Sequence, residues 1–261
     1  MIYKQEEKIG FYDIDANGNI KLTALLKYIN EAAWTNAEDL GASMETTIHS
    51  GVTFIIQRFG LRIFKTPKLN QKVTVQTWPA AMTRIAFKRN GSMLDEDGNK
   101  LMEWESLWVL LDINERKIRR PNAFPIEFPL YGQMGVTVES DKIAPFEEKE
   151  QLASYNHIVQ FSELDLNMHM SNAIYADLIA NVLSLKPTPN IQGWKDVYFN
   201  YVNEAKLNDE ITVDYYREQS NANEKTHSET NKQTHSETNE LYVSGANGEK
   251  VIFNALIKYE E

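Results

Sequence analysis

Asp165, Asn167 and His169 stand on alternate positions of the stretch FSELDLNMHMSNAIYADLI, which runs from Phe161 to Ile179. On an extended chain, side chains at this spacing share one side. An imidazole can move a proton near neutral pH, a carboxylate can orient it, and an amide can donate to an oxygen that gains charge. A helical pattern begins directly afterwards, with Ser171 or Asn172 placed to cap it. The N–H groups of that first turn would add partial positive charge. These are parts for hydrolysis. The same residues also admit a plainer role, because Asp-x-Asn by itself can shape a turn into a helix.

The chain carries this segment twice. FYDIDANGNIKLTALLKYI aligns Phe11 with Phe161, Asp15 with Asp165, Asn17 with Asn167 and Ile29 with Ile179, but puts Asn19 where the later copy has His169. KLNQKVTVQTW from Lys68 matches KLNDEITVDYY from Lys206, and DGNKLMEW around Gly98 matches NGEKVIFN around Gly248. Three matches in one order indicate a duplicated unit. The expected organisation is residues 1–120 as one unit, 121–155 as a connector and 156–261 as the second unit. The His/Asn difference suggests that only the second unit is chemically armed.

Both units share a grammar of turn, helix and strands. Leu22, Leu25, Leu26, Ile29, Ala33 and Leu40 recur at steps of three and four, as do Tyr175, Leu178, Ile179, Val182 and Leu183. Runs rich in β-branched and aromatic residues follow, joined by hairpin turns such as DEDGNK and GANGEK. One helix followed by antiparallel strands is an α+β pattern. The helix must bury its stripe on the concave face of the sheet, which is a hot-dog fold; two units make a tandem, or double, hot dog. QSNANEKTHSETNKQTHSETNE (219–240), which holds His227 and His235, reads as a solvated hairpin tip.

A formal net charge of −10 argues against nucleic acid or an anionic membrane as partner. With no cysteine, thiolate catalysis, disulfides and cysteine-ligated metals are excluded. The first residues show no signal-peptide pattern, and LWVLLDI is too short to span a bilayer. The expected location is the cytoplasm.

The motif Asp165, Asn167, His169, Asn172 and Tyr175 resembles the D-x-N-x-H-x-x-N pattern, followed by an aromatic-containing helix, of acyl-acyl carrier protein (acyl-ACP) thioesterases. That family includes the plant plastid enzymes. NEAAWTNAEDLG and ESLWVLLDINERKIRRP are similar to the family as well, and the likeness covers nearly the whole chain. Where the plant enzymes carry R-R-E-C, this chain has Val202, Asn203, Glu204 and Ala205. The resemblance implies hydrolysis of a fatty acyl thioester on acyl carrier protein, without metal or cofactor. It brings Glu204 into the site and leaves alanine in place of the plant cysteine, so water must attack directly. It leaves open whether Glu204 or His169 activates that water.

The resemblance also implies an acyl pocket in the first half, lined by Leu25, Ile29 and Ala33, each of which equally suits core packing. An acidic carrier calls for a local basic face. Arg58, Arg62, Lys65 and Lys68, then Arg84, Lys88 and Arg89, then Lys117, Arg119 and Arg120 are the candidates. Rival readings are an acyl-CoA thioesterase of the same fold, a hot-dog hydratase, disfavoured by the histidine spacing, and a non-catalytic acyl-binding module. A monomer and a homodimer both fit, since the duplication already supplies one pairing of units.

Overall fold

The computed structural model describes residues 2–146, 149–188, 190–217 and 239–260. Residues 219–238 of the repetitive tip, including His227 and His235, lie outside the described residues.

The first half contributes strand β1 (Tyr3–Lys8), helix α1 (Leu22–Asp39), the short helix α2 (Met44–His49), and strands β2 (Val52–Ile63), β3 (Lys72–Met82), β4 (Phe87–Leu94), β5 (Lys100–Asp112) and β6 (Ile118–Arg119). The second contributes β7 (Glu150–Ile158), α3 (Tyr175–Leu183), β8 (Trp194–Tyr201), β9 (Glu210–Arg217), β10 (Asn239–Asn247) and β11 (Lys250–Tyr259). β7 begins inside the stretch expected as connector and pairs antiparallel with β9.

All strands join one antiparallel sheet in the order β1-β3-β4-β5-β2-β8-β11-β10-β9-β7, with β6 paired on β5. The order reads the same from either end once β1 is matched with β7, β3 with β9, β4 with β10, β5 with β11 and β2 with β8. The two units therefore meet edge to edge through equivalent strands. At the seam Phe59 faces Phe199 and Leu61 faces Val197. An exposed strand edge is a liability, and each unit covers the other's.

Helices α1 and α3 lie on one face of this sheet. Their apolar stripes enter a single core that also takes Phe59, Leu61, Trp104, Val197, Phe199 and Phe253. Leu25 and Ile29 are packed within that core, and Ala33 is buried. Thr23 on α1 donates to Asp177 on α3, and Asn30 Nδ2 donates to Asn172 Oδ1 at 2.7 Å. These contacts ascend α1 while descending the later segment, so the two run antiparallel.

The segment between the halves crosses the opposite face as a strap. Tyr131 and Gly132 N–H groups donate to the Pro79 and Ala80 carbonyls, each at 3.0 Å. Further on, buried Glu103 accepts from Thr137 N (2.8 Å), Thr137 Oγ1 (2.6 Å) and Val138 N (3.2 Å). Buried Glu105 accepts from Ser140 N (3.0 Å), Ser140 Oγ (2.8 Å) and Lys88 Nζ (3.0 Å). Gly60 is required beneath the strap, because a Cβ there would stand 2.5 Å from the Glu139 carbonyl oxygen. Arg62 grips Asp196 across the seam with Nε and Nη2, at 2.7 and 3.2 Å.

Because the core is shared, Phe59→Ala should cost about 3–5 kcal/mol in urea unfolding and weaken both halves in one transition. A second half that melts unchanged would contradict the shared core.

Candidate active site

The segment from Asp165 to His169 is a tight turn rather than an extended strand. Asp165 N–H donates to the His169 carbonyl at 2.8 Å, and Met168 N–H to the Asp165 carbonyl at 3.0 Å. The Asp165 carboxylate accepts the backbone N–H groups of Asn167 and His169, at 2.8 and 3.4 Å. Asp15–Asn19 and Asp95–Asn99 close in the same way. Their fourth residues, Gly18 and Gly98, take φ of 81° and 82°, and Met168 adopts φ of 61° at the same place. Left-handed backbone suits glycine and strains methionine. Asp165 thus shapes the backbone under the imidazole, and no hydrogen bond joins its carboxylate to the His169 ring. The shared side expected from alternate spacing does not form.

Turn and downstream loop are clamped together by the backbone. Met170 N–H donates to the Ala205 carbonyl at 2.8 Å, and the Ala205 methyl is fully buried. This places Glu204, just beyond β8, beside the turn: His169 Nε2 lies 3.2 Å from Glu204 Oε2. The Glu204 carboxylate also receives Arg116, from the tight turn between β5 and β6 in the other half of the chain. The three groups are partly exposed, the His169 side chain at 17% and the Glu204 side chain at 27%.

Burial lowers the His169 imidazole below its ordinary 6.5, opposed by Glu204, then reinforced by Arg116. The ring is therefore neutral at pH 7. Nε2 is the ring nitrogen beside the carboxylate, and a proton held there leaves the Nδ1 lone pair free. Behind the turn, Tyr175 packs edge-on against Tyr201 and Phe253, with ring centres 5.6 and 5.0 Å apart. Burial pushes both phenols well above their ordinary range, so they stay neutral.

The other expected site residues scatter. Asn167 is exposed, and its side chain makes no hydrogen bond among the described residues. Helix α3 starts at Tyr175 with Ile174 before it and no side-chain cap, so neither Ser171 nor Asn172 caps it. Instead, Asn172 Oδ1 accepts from Asn30, which fixes its amide, and Nδ2 makes no hydrogen bond among the described residues. Lys65 is exposed and Arg58 half-buried, while Arg62 is committed to Asp196 and Lys88 to Glu105. Arg89, expected on a basic surface, is instead directed under α1, where Nη1 donates to Asn36 Oδ1 at 2.7 Å. Arg116 is the site residue that the sequence reading missed. It stands one position before the cations singled out at Lys117, Arg119 and Arg120.

Residues 1–122 match the acyl-ACP thioesterase N-terminal domain, and residues 146–251 match the acyl-ACP thioesterase C-terminal domain. The chain belongs to the acyl-ACP thioesterase family. Among relatives in this family, the chloroplastic oleoyl-acyl carrier protein thioesterase 2 of Arabidopsis thaliana is 22% identical over 232 residues, covering 83% of this chain and 59% of that protein. The chloroplastic palmitoyl-acyl carrier protein thioesterase of Gossypium hirsutum is 21% identical over 212 residues, covering 74% and 49%. The chain thus spans about half to three-fifths of the length of these curated relatives. Solved acyl-ACP thioesterases share its fold. One from Bacteroides thetaiotaomicron superimposes with a TM-score of 0.76 at 21% identity, covering 99% of this chain and 98% of its own. The 12:0-ACP thioesterase from Umbellularia californica gives 0.74 at 13% identity, covering 99% and 94%. No described helix is long and apolar enough to cross a membrane.

In an NMR titration the His169 ring should titrate below 6.5. Removing the neighbouring carboxylate in Glu204→Gln should lower that value further, and Arg116→Gln should raise it. A His169 titration above 6.5 would contradict the burial that dominates here.

Proposed function

We propose that this chain hydrolyses the thioester of a fatty acyl chain on acyl carrier protein, releasing a free fatty acid and the carrier with its free phosphopantetheine thiol, and so ends chain elongation. The observation that carries the reading is the contact of 3.2 Å between His169 and Glu204. Family membership supplies the substrate class.

His169 is the better base of the two. The Glu204 carboxylate is already engaged by Arg116, whereas Nδ1 of the imidazole has no partner among the described residues. Nδ1 of the neutral imidazole takes a proton from water as the water oxygen bonds to the thioester carbon. Glu204 stabilises the imidazolium through Nε2–H. The Asn167 and Asn172 amides, both with N–H groups to spare, serve the oxygen that gains charge. When the carbon–sulfur bond breaks, the imidazolium returns its proton to the leaving thiolate. The buried Ala205 offers no thiol nucleophile at that position, and water attacks the carbonyl carbon directly.

Purified protein should release fatty acid from acyl-ACP, and faster than from the matching acyl-CoA. His169→Ala should lower kcat by about 10²–10⁴-fold with folding intact. A kcat near the wild-type value would remove His169 from the chemistry. Because the neutral ring is the active form, kcat/KM should fall as pH drops through an apparent pKa below 6.5.

Docking of an acidic carrier on a chain of net charge −10 needs local cations. Lys65, Arg84, Lys117 and Arg120 remain exposed for that purpose. A rise from low to physiological salt should then reduce kcat/KM more than kcat. A flat salt response would argue against a docking face built on charge.

A further inference from the structure

Three turns of this chain close in the same way. In each, the aspartate N–H donates to the carbonyl four residues on, and the N–H three residues on donates to the aspartate carbonyl. Their outward side chains differ. The second and fourth places of the turn hold Ala16 and Gly18, Glu96 and Gly98, and Leu166 and Met168. Of the three, the turn that carries His169 bears two large apolar groups. Both stand in solvent, Leu166 at 80% exposed and Met168 at 59%.

Packing does not account for this pair. Side chains so exposed bury little apolar area within the chain. At Met168 the backbone takes φ of 61°, which glycine adopts without strain and a side chain does not. Methionine therefore destabilises the fold at this place, and leucine adds little to it. Strain and exposed apolar groups beside a reactive centre point to a function carried out with a partner.

The surroundings indicate which partner. Val202, exposed, stands two residues before Glu204. Lys206, also exposed, stands two residues after it, and its charge acts on the His169 ring. The Arg116 side chain, 46% exposed, reaches Glu204 from the other half. The rim of the candidate site thus combines apolar groups with two cations, on a chain of net charge −10. An acidic protein with an apolar contact face fits that combination. The carrier stays outside while it presents its thioester to His169, and it must rest against this rim to do so.

We infer that Leu166 and Met168 are the apolar contact on which the acyl carrier protein docks, so that the turn which places His169 also selects the carrier over the corresponding thioester of CoA. The inference rests on the acyl-ACP hydrolase reading for the identity of the partner, and on the turn for the contact.

The test gives the second turn the residues of the first, as Leu166→Ala/Met168→Gly. Wild type and variant are assayed on the dodecanoyl thioesters of acyl carrier protein and of CoA. The ratio of kcat/KM for the carrier substrate over the CoA substrate should fall about tenfold or more, chiefly through KM. Leu166→Gln/Met168→Gln keeps the bulk, removes the apolar character and should lower the ratio as far. In thermal melting the Ala/Gly variant, relieved of the strain at 168, should melt no lower than wild type. An unchanged ratio would overturn the inference, as would an equal loss on both substrates, a Gln/Gln variant that keeps the wild-type ratio, or an Ala/Gly variant that melts well below wild type. A second readout is calorimetric binding of dodecanoyl-ACP to His169→Ala, with and without the Ala/Gly pair, where affinity should fall in the same sense. If wild type hydrolyses neither thioester while this affinity still falls, the hydrolase reading fails and the docking contact stands. If wild type hydrolyses acyl-ACP and the affinity does not change, the docking contact fails and the hydrolase reading stands.

Discussion

The pairing of β2 with β8 is the constraint on which the molecule depends. A half-sheet with one buried helix leaves an open edge and an incompletely covered core. Joining the equivalent edges of two copies removes both faults, and the Phe59–Phe199 and Leu61–Val197 pairs are where the two cores become one. Arg62 and Asp196 fix the register from the other face, above which the strap runs. The candidate site depends on the same seam. The β5–β6 turn belongs to the first half and Glu204 to the second, so Arg116 reaches the carboxylate only because the halves are locked side by side.

Duplication explains why a single chemical site results from two similar turns. Asp15 and Asp165 perform the same task, each gathering the backbone N–H groups of its own turn. The fourth residue after each aspartate then decides the outcome. In the first copy it is Asn19, buried at 4% exposed, and in the second it is His169, partly open and backed by a carboxylate. The fold supplies the same scaffold twice, and the chemistry we propose uses the second.

Much of this was legible in the sequence because it is local. The apolar stripes of α1 and α3, the hairpins at Asp95–Asn99 and around Gly248, and the duplicated openings all follow from spacings within a few residues. The sequence left the Asp165 segment open between an extended run and a turn for a physical reason. In the other two turns glycine announces the left-handed position, whereas Met168 occupies it here without that signal. Contacts between distant residues were hidden. Glu103 and Glu105 are buried to hold the strap, a role that their own strand does not announce. Arg62 and Arg89 read as surface cations, because the residues that take them up, Asp196 and Asn36, stand far away in the chain. Glu204 was reached through resemblance to a family rather than through any spacing to His169.

The central claim is that an imidazole–carboxylate pair aims water at a thioester with no covalent stage. Mass spectrometry of the intact protein during a single turnover of acyl-ACP, run in water enriched in heavy oxygen, tests it most directly. The account predicts a fatty acid carrying one heavy oxygen and a protein whose mass never changes. An acylated protein, or no fatty acid released at all, would contradict it.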